Sequence, residues 1–115
     1  QFSRNIFRNH ADAFSADSMA LVLAQEAVSV EADKVLTPQQ RAFMYMPFMH
    51  SESLAIHDVA MELFSQEGLE REFSFEKRYQ KVIETFGRYP HRNHVLGRES
   101  TVQEIAFLKS NPQGF

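Results

Sequence analysis

The segment from Phe86 to Arg98 (FGRYPHRNHVLGR) concentrates polar groups that are able to bind anions. It contains Arg88, Arg92 and Arg98, together with Asn93, two glycines and a proline. A guanidinium group stays charged and offers a planar fork of donors that matches a carboxylate or phosphate. Glycine and proline favour a defined turn over a core segment. The segment therefore predicts an anion-binding turn with Arg88, Arg92, Asn93 and Arg98 as ligands.

A similar arrangement opens the chain, where Arg4, Asn5 and Arg8 repeat the order Arg-Asn, apolar spacer, Arg. The two segments together suggest one arginine-lined groove. The predicted function is a binding module for an anionic small molecule or an acidic peptide.

A purely structural role for the same arginines fits the sequence as well as anion binding does. Guanidinium groups also bond helix-end carbonyls and buried carboxylates, and Glu52 and Glu99 are the candidate partners. In that case the polar residues hold the turn in place and bind no ligand.

His50-Ser51-Glu52 is a second candidate for chemistry. It is predicted to lie at a helix N-terminus, where backbone amides attract an anion. His50 or His91 would be the general base and Glu52 its orienting carboxylate in a small hydrolase or transferase. The alternative is a Ser51 N-cap with Glu52 placed favourably for the helix dipole. The sequence leaves open whether the protein is an enzyme.

Other classes of function are disfavoured by composition. The chain has no cysteine, and its histidine pairs (50/57 and 91/94) lack metal-site spacing, so we expect no metal and no cofactor. The net charge of −3 gives no drive toward nucleic acid. No apolar run approaches the roughly 18 residues that span a bilayer, so no membrane partner is expected. The absence of cysteine fits the cytoplasm.

Helical periodicity and capping signals predict an all-α fold of antiparallel helical hairpins in one domain over residues 1–115. The predicted N-caps are Ser15, Thr37, Ser51 and Thr101, and Pro47 is expected to end or kink the second helix. Gly68 and Gly87 are the predicted helix stops.

Three blocks of the sequence resemble uncharacterised bacterial proteins grouped as domain-of-unknown-function family 924. The blocks are QFSRNIFR (1–8), FMYMPFMHSE (43–52) and FGRYPHRN (86–93), the last continuing through VLGREST and EIAFL. The resemblance implies a tetratricopeptide-like helical fold and no established activity.

The chain departs from the family at Ser3, where a proline is usual, and family members carry several tens of further residues upstream. The resemblance therefore implies that residues 1–115 correspond to the C-terminal two-thirds of a longer family domain. In that case Phe2, Ile6 and Phe7 lack their usual cover, and a homodimer is expected to bury them.

Overall fold

The computed structural model describes residue 14 and residues 16–112, and these residues form helices joined by turns, with no strand among them. We number the α-helices in chain order. They are α1 (Asp17–Ser29), α2 (Pro38–Met49), α3 (Leu54–Phe64), α4 (Glu70–Phe86) and α5 (Val102–Ser110). Two short 3₁₀ segments, Ala32–Val35 and Pro90–Arg92, lie in the connections. The predicted all-α class is confirmed.

Helix α1 is apolar on more than one face. Ala24 packs inward, whereas Met19, Val22 and Leu23 are each more than half exposed. The helix begins at Asp17, whose carboxylate lies in the first turn. The predicted N-cap at Ser15 lies outside the described residues.

Helix α2 begins as the sequence predicts. The Thr37 side chain accepts from the Gln40 amide at 3.2 Å, and the Gln40 side chain accepts from the Thr37 amide at 3.0 Å. This capping box satisfies two amides that the first turn leaves open. The helix passes through Pro47 and ends two residues later, at Met49.

The turn between α2 and α3 corrects one prediction. Ser53, not Ser51, is the N-cap of α3. The Ser51 hydroxyl accepts from the Ser53 amide at 3.2 Å, so it shapes the turn before the helix. Its carbonyl lies 2.7 Å from Nε2 of His57 on α3, and this bond holds Ser51 in the turn before the helix.

The predicted stop at Gly68 is also too late, because α3 already ends at Phe64. Gly68 instead precedes α4 with a φ of +91°, and Pro38 packs against it. Gly87 does end α4, with a φ of +73°, as predicted. Helix α5 starts with the predicted capping box between Thr101 and Glu104.

Each of the first three helices packs on the next, and α2 also contacts α4. The main core joins these helices through side chains that are almost fully buried: Ala24, Ala42, Tyr45, Phe48, Met49, Ala60, Phe64 and Leu69. A smaller cluster of Val82, Ile83 and Tyr89 lies where α4 meets the following turn. None of the described helices has both the length and the apolar character needed to cross a membrane.

A buried polar cluster fastens the connection between α1 and α2. The Tyr45 hydroxyl donates to the Asp33 carboxylate and accepts from Gln66 Nε2 at 3.1 Å. Arg41 donates to the carbonyls of Asp33 and Lys34 and to the Gln66 side chain. The 3₁₀ segment is therefore tied both to α2 and to the end of α3.

Candidate functional site

The turn after α4 is built on a buried asparagine. Asn93 is 1% exposed, accepts from Arg98 Nε at 3.0 Å and donates to the Ser100 hydroxyl at 3.1 Å. Its carbonyl also accepts from the Arg98 amide at 2.8 Å. Asn93 therefore holds both ends of the 93–100 segment.

Arg98 and Glu52 form a bidentate ion pair across the fold. Arg98 Nη1 and Nη2 donate to the two Glu52 oxygens at 3.1 and 3.0 Å, and the Tyr89 amide donates to Glu52 Oε2 at 2.7 Å. Burial opposes ionisation of Glu52, but the bonds from Arg98 and the Tyr89 amide outweigh it and hold the Glu52 pKa below its ordinary value. We call residues 87–98, which include Arg88, Arg92 and Arg98, the arginine-rich turn. The Arg98–Glu52 pair connects this turn to the turn before α3.

Arg88 forms a second bidentate pair, with Glu104 at the start of α5. Its Nε and Nη2 lie 2.9 and 2.8 Å from the two Glu104 oxygens, and Nη2 also donates to the Glu99 carbonyl at 2.7 Å. The hydrogen bonds from Arg88 lower the pKa of the Glu104 carboxyl to about 2. Arg88 and Arg98 thus make the contacts that the structural interpretation of the arginines expects.

Arg92 is held differently from the other two arginines. Its Nη2 donates to the His50 carbonyl at 2.8 Å, and its Nη1 lies 3.7 Å from Asp17 Oδ2. The guanidinium lies 4.5 Å from the centre of the Phe14 ring and 4.8 Å from that of Tyr89. These cation–π contacts and the carbonyl bond fix its plane.

A pocket of about 250 Å³ opens beside Arg92. The end of α2, the turn before α3, the start of α1 and the arginine-rich turn all contribute to it. Its polar lining includes Asp17, His50, Ser51, Glu52 and Arg92. Its apolar lining consists of Phe14, Leu21, Pro47 and Leu96. The pocket therefore combines both signs of charge with an apolar wall.

A completely buried histidine–glutamate pair lies beneath this pocket. His57 Nδ1 is 2.7 Å from Glu76 Oε2, and neither side chain is exposed. His57 Nε2 lies 2.7 Å from the Ser51 carbonyl and 2.8 Å from the Tyr89 hydroxyl, which itself donates to the Met49 carbonyl at 2.5 Å. A carbonyl only accepts, so Nε2 carries a proton.

One further proton lies between His57 and Glu76, because their 2.7 Å contact needs a donor. Burial raises the pKa of Glu76 above its ordinary value. Burial and the nearby Glu76 charge also raise the pKa of the Tyr89 hydroxyl. The sequence interpretation missed this network, since Glu76 reads as one of several polar residues along an amphipathic helix. The polar neighbours Lys77 and Gln80 place Glu76 on the solvated face of this helix by sequence, and the structure shows that this expectation is wrong.

The structure brings together three of the predicted functional residues, His50, Glu52 and Arg92, in the wall of one pocket. His91 lies elsewhere, with Nε2 donating to the Asn111 carbonyl at 2.6 Å and its ring edge-on to Phe107. The predicted ligands Arg4, Asn5 and Arg8 lie outside the described residues. Within residue 14 and residues 16–112, no group of three or more acidic or histidine side chains is placed to hold a metal ion.

The groups that line the pocket are able to bind a small polar molecule. Arg92 offers a fixed cation, and Asp17 offers a carboxylate at the same edge. Glu52 is neutralised by Arg98, so its charge is already compensated before a ligand arrives. His50 supplies an imidazole in the same wall.

Comparison with known proteins assigns the chain to a family. A solved structure of a protein of unknown function from Agrobacterium tumefaciens superposes on the chain with a TM-score of 0.91 and 34% sequence identity. The alignment covers 96% of this chain and 62% of that one, so the chain spans less than two thirds of the relative. Among curated proteins, no match was found. Residues 1–112 match the family described as bacterial protein of unknown function (DUF924), and the chain belongs to this family.

Proposed function

We propose that the protein is a binding module that holds a small anionic molecule in the pocket beside Arg92. The observation that carries this proposal is the placement of Arg92 in the pocket wall, fixed by the His50 carbonyl and by two aromatic rings. A preorganised guanidinium loses little freedom when it binds a carboxylate or phosphate.

The size and charge of the pocket define the ligand. About 250 Å³ is below the roughly 300–1,000 Å³ of pockets for drug-sized ligands, which favours a compact metabolite. Asp17 disfavours a second negative group at the same edge and favours a hydroxyl or ammonium there. The proposed ligand therefore carries one carboxylate or phosphate and one hydrogen-bond donor, as hydroxy acids and amino acids do.

Arg88 and Arg98 contribute to the proposed site indirectly. Each is committed to a carboxylate, Glu104 and Glu52 respectively. They hold the turn that carries Arg92, so replacing either of them would leave the Arg92 guanidinium less firmly positioned. This divides the arginines into one proposed ligand contact and two supports.

A thermal-shift screen tests the proposal, with hydroxy acids, amino acids, dicarboxylates and phosphorylated metabolites as the panel. We expect a compound that stabilises the parent protein to lose its effect on Arg92→Ala and to keep it on Arg71→Ala. Arg71 is an exposed cation on α4, 5.8 Å from the Phe75 ring, and provides the matched control. Asp17→Asn should weaken binding of an amino acid, because it removes the carboxylate that would pair with the ammonium group, and should weaken binding of a hydroxy acid less.

A second variant keeps the test decisive if Arg92→Ala is too unstable to assay. Ser18 is exposed and lines the pocket, so Ser18→Trp fills it without touching the core. Loss of the shift in Ser18→Trp supports the site. A panel in which no compound shifts the melting temperature of the parent protein contradicts the proposal and favours the structural interpretation of the arginines.

An enzyme remains the alternative proposal, because His50, Ser51 and Glu52 line the same pocket. His50 would be the general base of a hydrolase or transferase. Glu52 accepts from Arg98 and the Tyr89 amide, so orienting His50 would require one of those bonds to be exchanged. Turnover of a chromogenic ester or phosphate by the parent, lost in His50→Ala and kept in His94→Ala, would favour this alternative over simple binding.

A further inference from the structure

The backbone that follows α2 is held by side chains from other parts of the fold. The carbonyls of residues 49, 50 and 51 each contact one such side chain, at 2.5, 2.8 and 2.7 Å. The three side chains are Tyr89, Arg92 and His57, in that order. Residues 50–52 also line the pocket beside Arg92, so these bonds position one wall of that pocket.

Of these three side chains, His57 is the one whose hydrogen bonding depends on protonation near neutral pH. A guanidinium stays charged at any ordinary pH. Burial raises the pKa of the Tyr89 hydroxyl, which therefore keeps its proton. A neutral imidazole has one N–H, and the partner of one nitrogen decides which nitrogen carries it. His57 binds the Ser51 carbonyl only while this proton is on Nε2.

Glu76 controls where the proton lies. An ionised carboxylate 2.7 Å from Nδ1 accepts a hydrogen bond, so it would draw a single imidazole proton to Nδ1. Nε2 would then face the Ser51 carbonyl with no proton between the two acceptors. The observed contacts therefore need two protons on the pair, one on Nε2 and one between Nδ1 and Glu76. Burial raises the pKa of Glu76, which favours retention of the second proton.

The Tyr89 hydroxyl cannot replace the missing donor without a loss elsewhere. It lies 2.8 Å from His57 Nε2, but it donates to the Met49 carbonyl at 2.5 Å. If it turned toward Nε2, the Met49 carbonyl would lose this donor. Removal of one proton from the pair therefore costs the backbone after α2 at least one of its three bonds.

The charged groups around the pair do not remove this dependence. Glu52 and Arg92 act on the Tyr89 hydroxyl with opposite sign, and Glu52 is already paired with Arg98. Glu72 lies one turn before Glu76 on α4, and its negative charge also favours retention of the second proton. The other ionisable side chains near the network are Tyr79 on α4, edge-on to Tyr89, and Arg41 and Tyr45 on α2, which are bonded to Asp33 and Gln66.

We infer that His57 is a positioning residue whose bond to the Ser51 carbonyl exists only while the His57–Glu76 pair holds two protons. As the pH rises, loss of one proton to solvent releases this carbonyl and loosens the pocket wall formed by residues 50–52. A weaker hold on a ligand follows from this only if the function proposed above is correct. The bond itself forms without a ligand, so its test needs none.

Nitrogen-15 spectra of the imidazole rings in the ligand-free chain measure the proton count directly. We expect a slowly exchanging proton on His57 Nε2 at pH 7. At higher pH this proton should be lost, together with a shift of the amide signals of residues 50–53 at the same midpoint. A His57 that carries its proton on Nδ1 alone at pH 7 would overturn the inference. So would an Nε2 proton and amide signals that stay unchanged up to pH 10.

The pH dependence of stability gives an independent test with Glu76→Gln. The folded pair holds two protons, whereas the same side chains hold one in the unfolded chain above the ordinary histidine pKa of about 6.5. The unfolding equilibrium constant of the parent should therefore rise about tenfold per pH unit above pH 6.5, until the folded pair loses its own proton. In Glu76→Gln the new amide donates to Nδ1, and a neutral imidazole keeps its proton on Nε2. This variant holds one proton in both states and should lack that contribution.

Urea unfolding from pH 6 to 9 measures this difference, because all other titrating groups are common to the two proteins. Glu84→Gln is the matched control, since it makes the same change at an exposed position of α4 and should keep the pH dependence of the parent. The same pH dependence in the parent and in Glu76→Gln would overturn the inference. If Glu76→Gln does not fold, the imidazole spectra of the parent decide. A chain that shows the expected proton count but binds no compound refutes the proposed function and leaves the role of His57 intact.

Discussion

His57 Nδ1 lies 2.7 Å from Glu76 Oε2, and both side chains are completely buried between α3 and α4. The pair lies directly beneath the pocket wall, because His57 also contacts the Ser51 carbonyl and the Tyr89 hydroxyl. Tyr89 in turn supports Glu52 through its amide and Arg92 through its ring. The candidate site therefore rests on a buried polar network that contains no residue from the arginine-rich turn except Tyr89.

The buried pair predicts a large difference between two substitutions of Glu76. Glu76→Gln keeps an amide donor for His57 Nδ1, so we expect a small loss of stability. Glu76→Leu leaves that nitrogen buried without its partner, which should cost about 3 kcal/mol of unfolding free energy. Urea unfolding at pH 7 measures both. Equal losses in the two variants would show that the bond to His57 contributes little.

The Arg88–Glu104 pair predicts that part of the free energy of unfolding is lost at low pH. The folded-state pKa of Glu104 is about 2, below its ordinary value of 4.5. A carboxyl with a lowered folded pKa stabilises the protein fully above pH 4.5 and loses this contribution as pH falls toward 2. Glu104→Gln should be less stable than the parent at pH 7 by about 1–3 kcal/mol, with the difference shrinking between pH 4.5 and 2.

Unfolding curves of the parent and Glu104→Gln across that pH range test this prediction. Glu84→Gln is a suitable control, since Glu84 is exposed on α4. Its difference from the parent should stay small at every pH. A constant difference between the parent and Glu104→Gln from pH 7 to 2 would contradict the assignment.

The fork geometry of Arg98 predicts that lysine will not replace it. Arg98 donates to both Glu52 oxygens, to the Asn93 side chain and to the Tyr89 carbonyl. A lysine keeps the charge but cannot reach these acceptors together, so Arg98→Lys should lower stability by about 2 kcal/mol. Arg71→Lys, at an exposed position, should be nearly neutral. Similar thermal denaturation of the two variants would show that charge alone suffices at position 98.

The two helix-flanking glycines predict different costs for alanine. At Gly68 an added Cβ would lie 2.8 Å from Pro38 Cβ, in a backbone with a φ of +91°. Gly68→Ala should therefore cost about 2–4 kcal/mol, since strain and overlap combine. At Gly87 the φ is +73°, but an added Cβ would have no atom from elsewhere in the fold within 4 Å. Gly87→Ala should therefore cost only about 1 kcal/mol. Melting temperatures rank the two, and the reverse order would contradict the structure.

The capping boxes at Thr37 and Thr101 were predictable from sequence because they depend on residues three positions apart. The stop at Gly87 was predictable for the same reason, since it depends on one backbone conformation. The failed prediction of an N-cap at Ser51 has its cause in the position of His57, which Glu76 and Tyr89 hold from 19 and 32 positions away. The bond between its carbonyl and His57 holds this residue in the turn and moves the cap to Ser53.

The sequence by itself determined the helical class, the starts of α2 and α5 and the concentration of arginine at one turn, because these follow from local periodicity, capping signals and composition. The tertiary structure decided which group each arginine meets. Glu52 and Arg98 are 46 positions apart, and His57 and Glu76 are 19 apart. Their pairing depends on how α3 packs on α4 and how the turn folds back. Packing therefore committed Arg88 and Arg98 to carboxylates, placed Arg92 in a pocket wall and buried the His57–Glu76 pair beneath it.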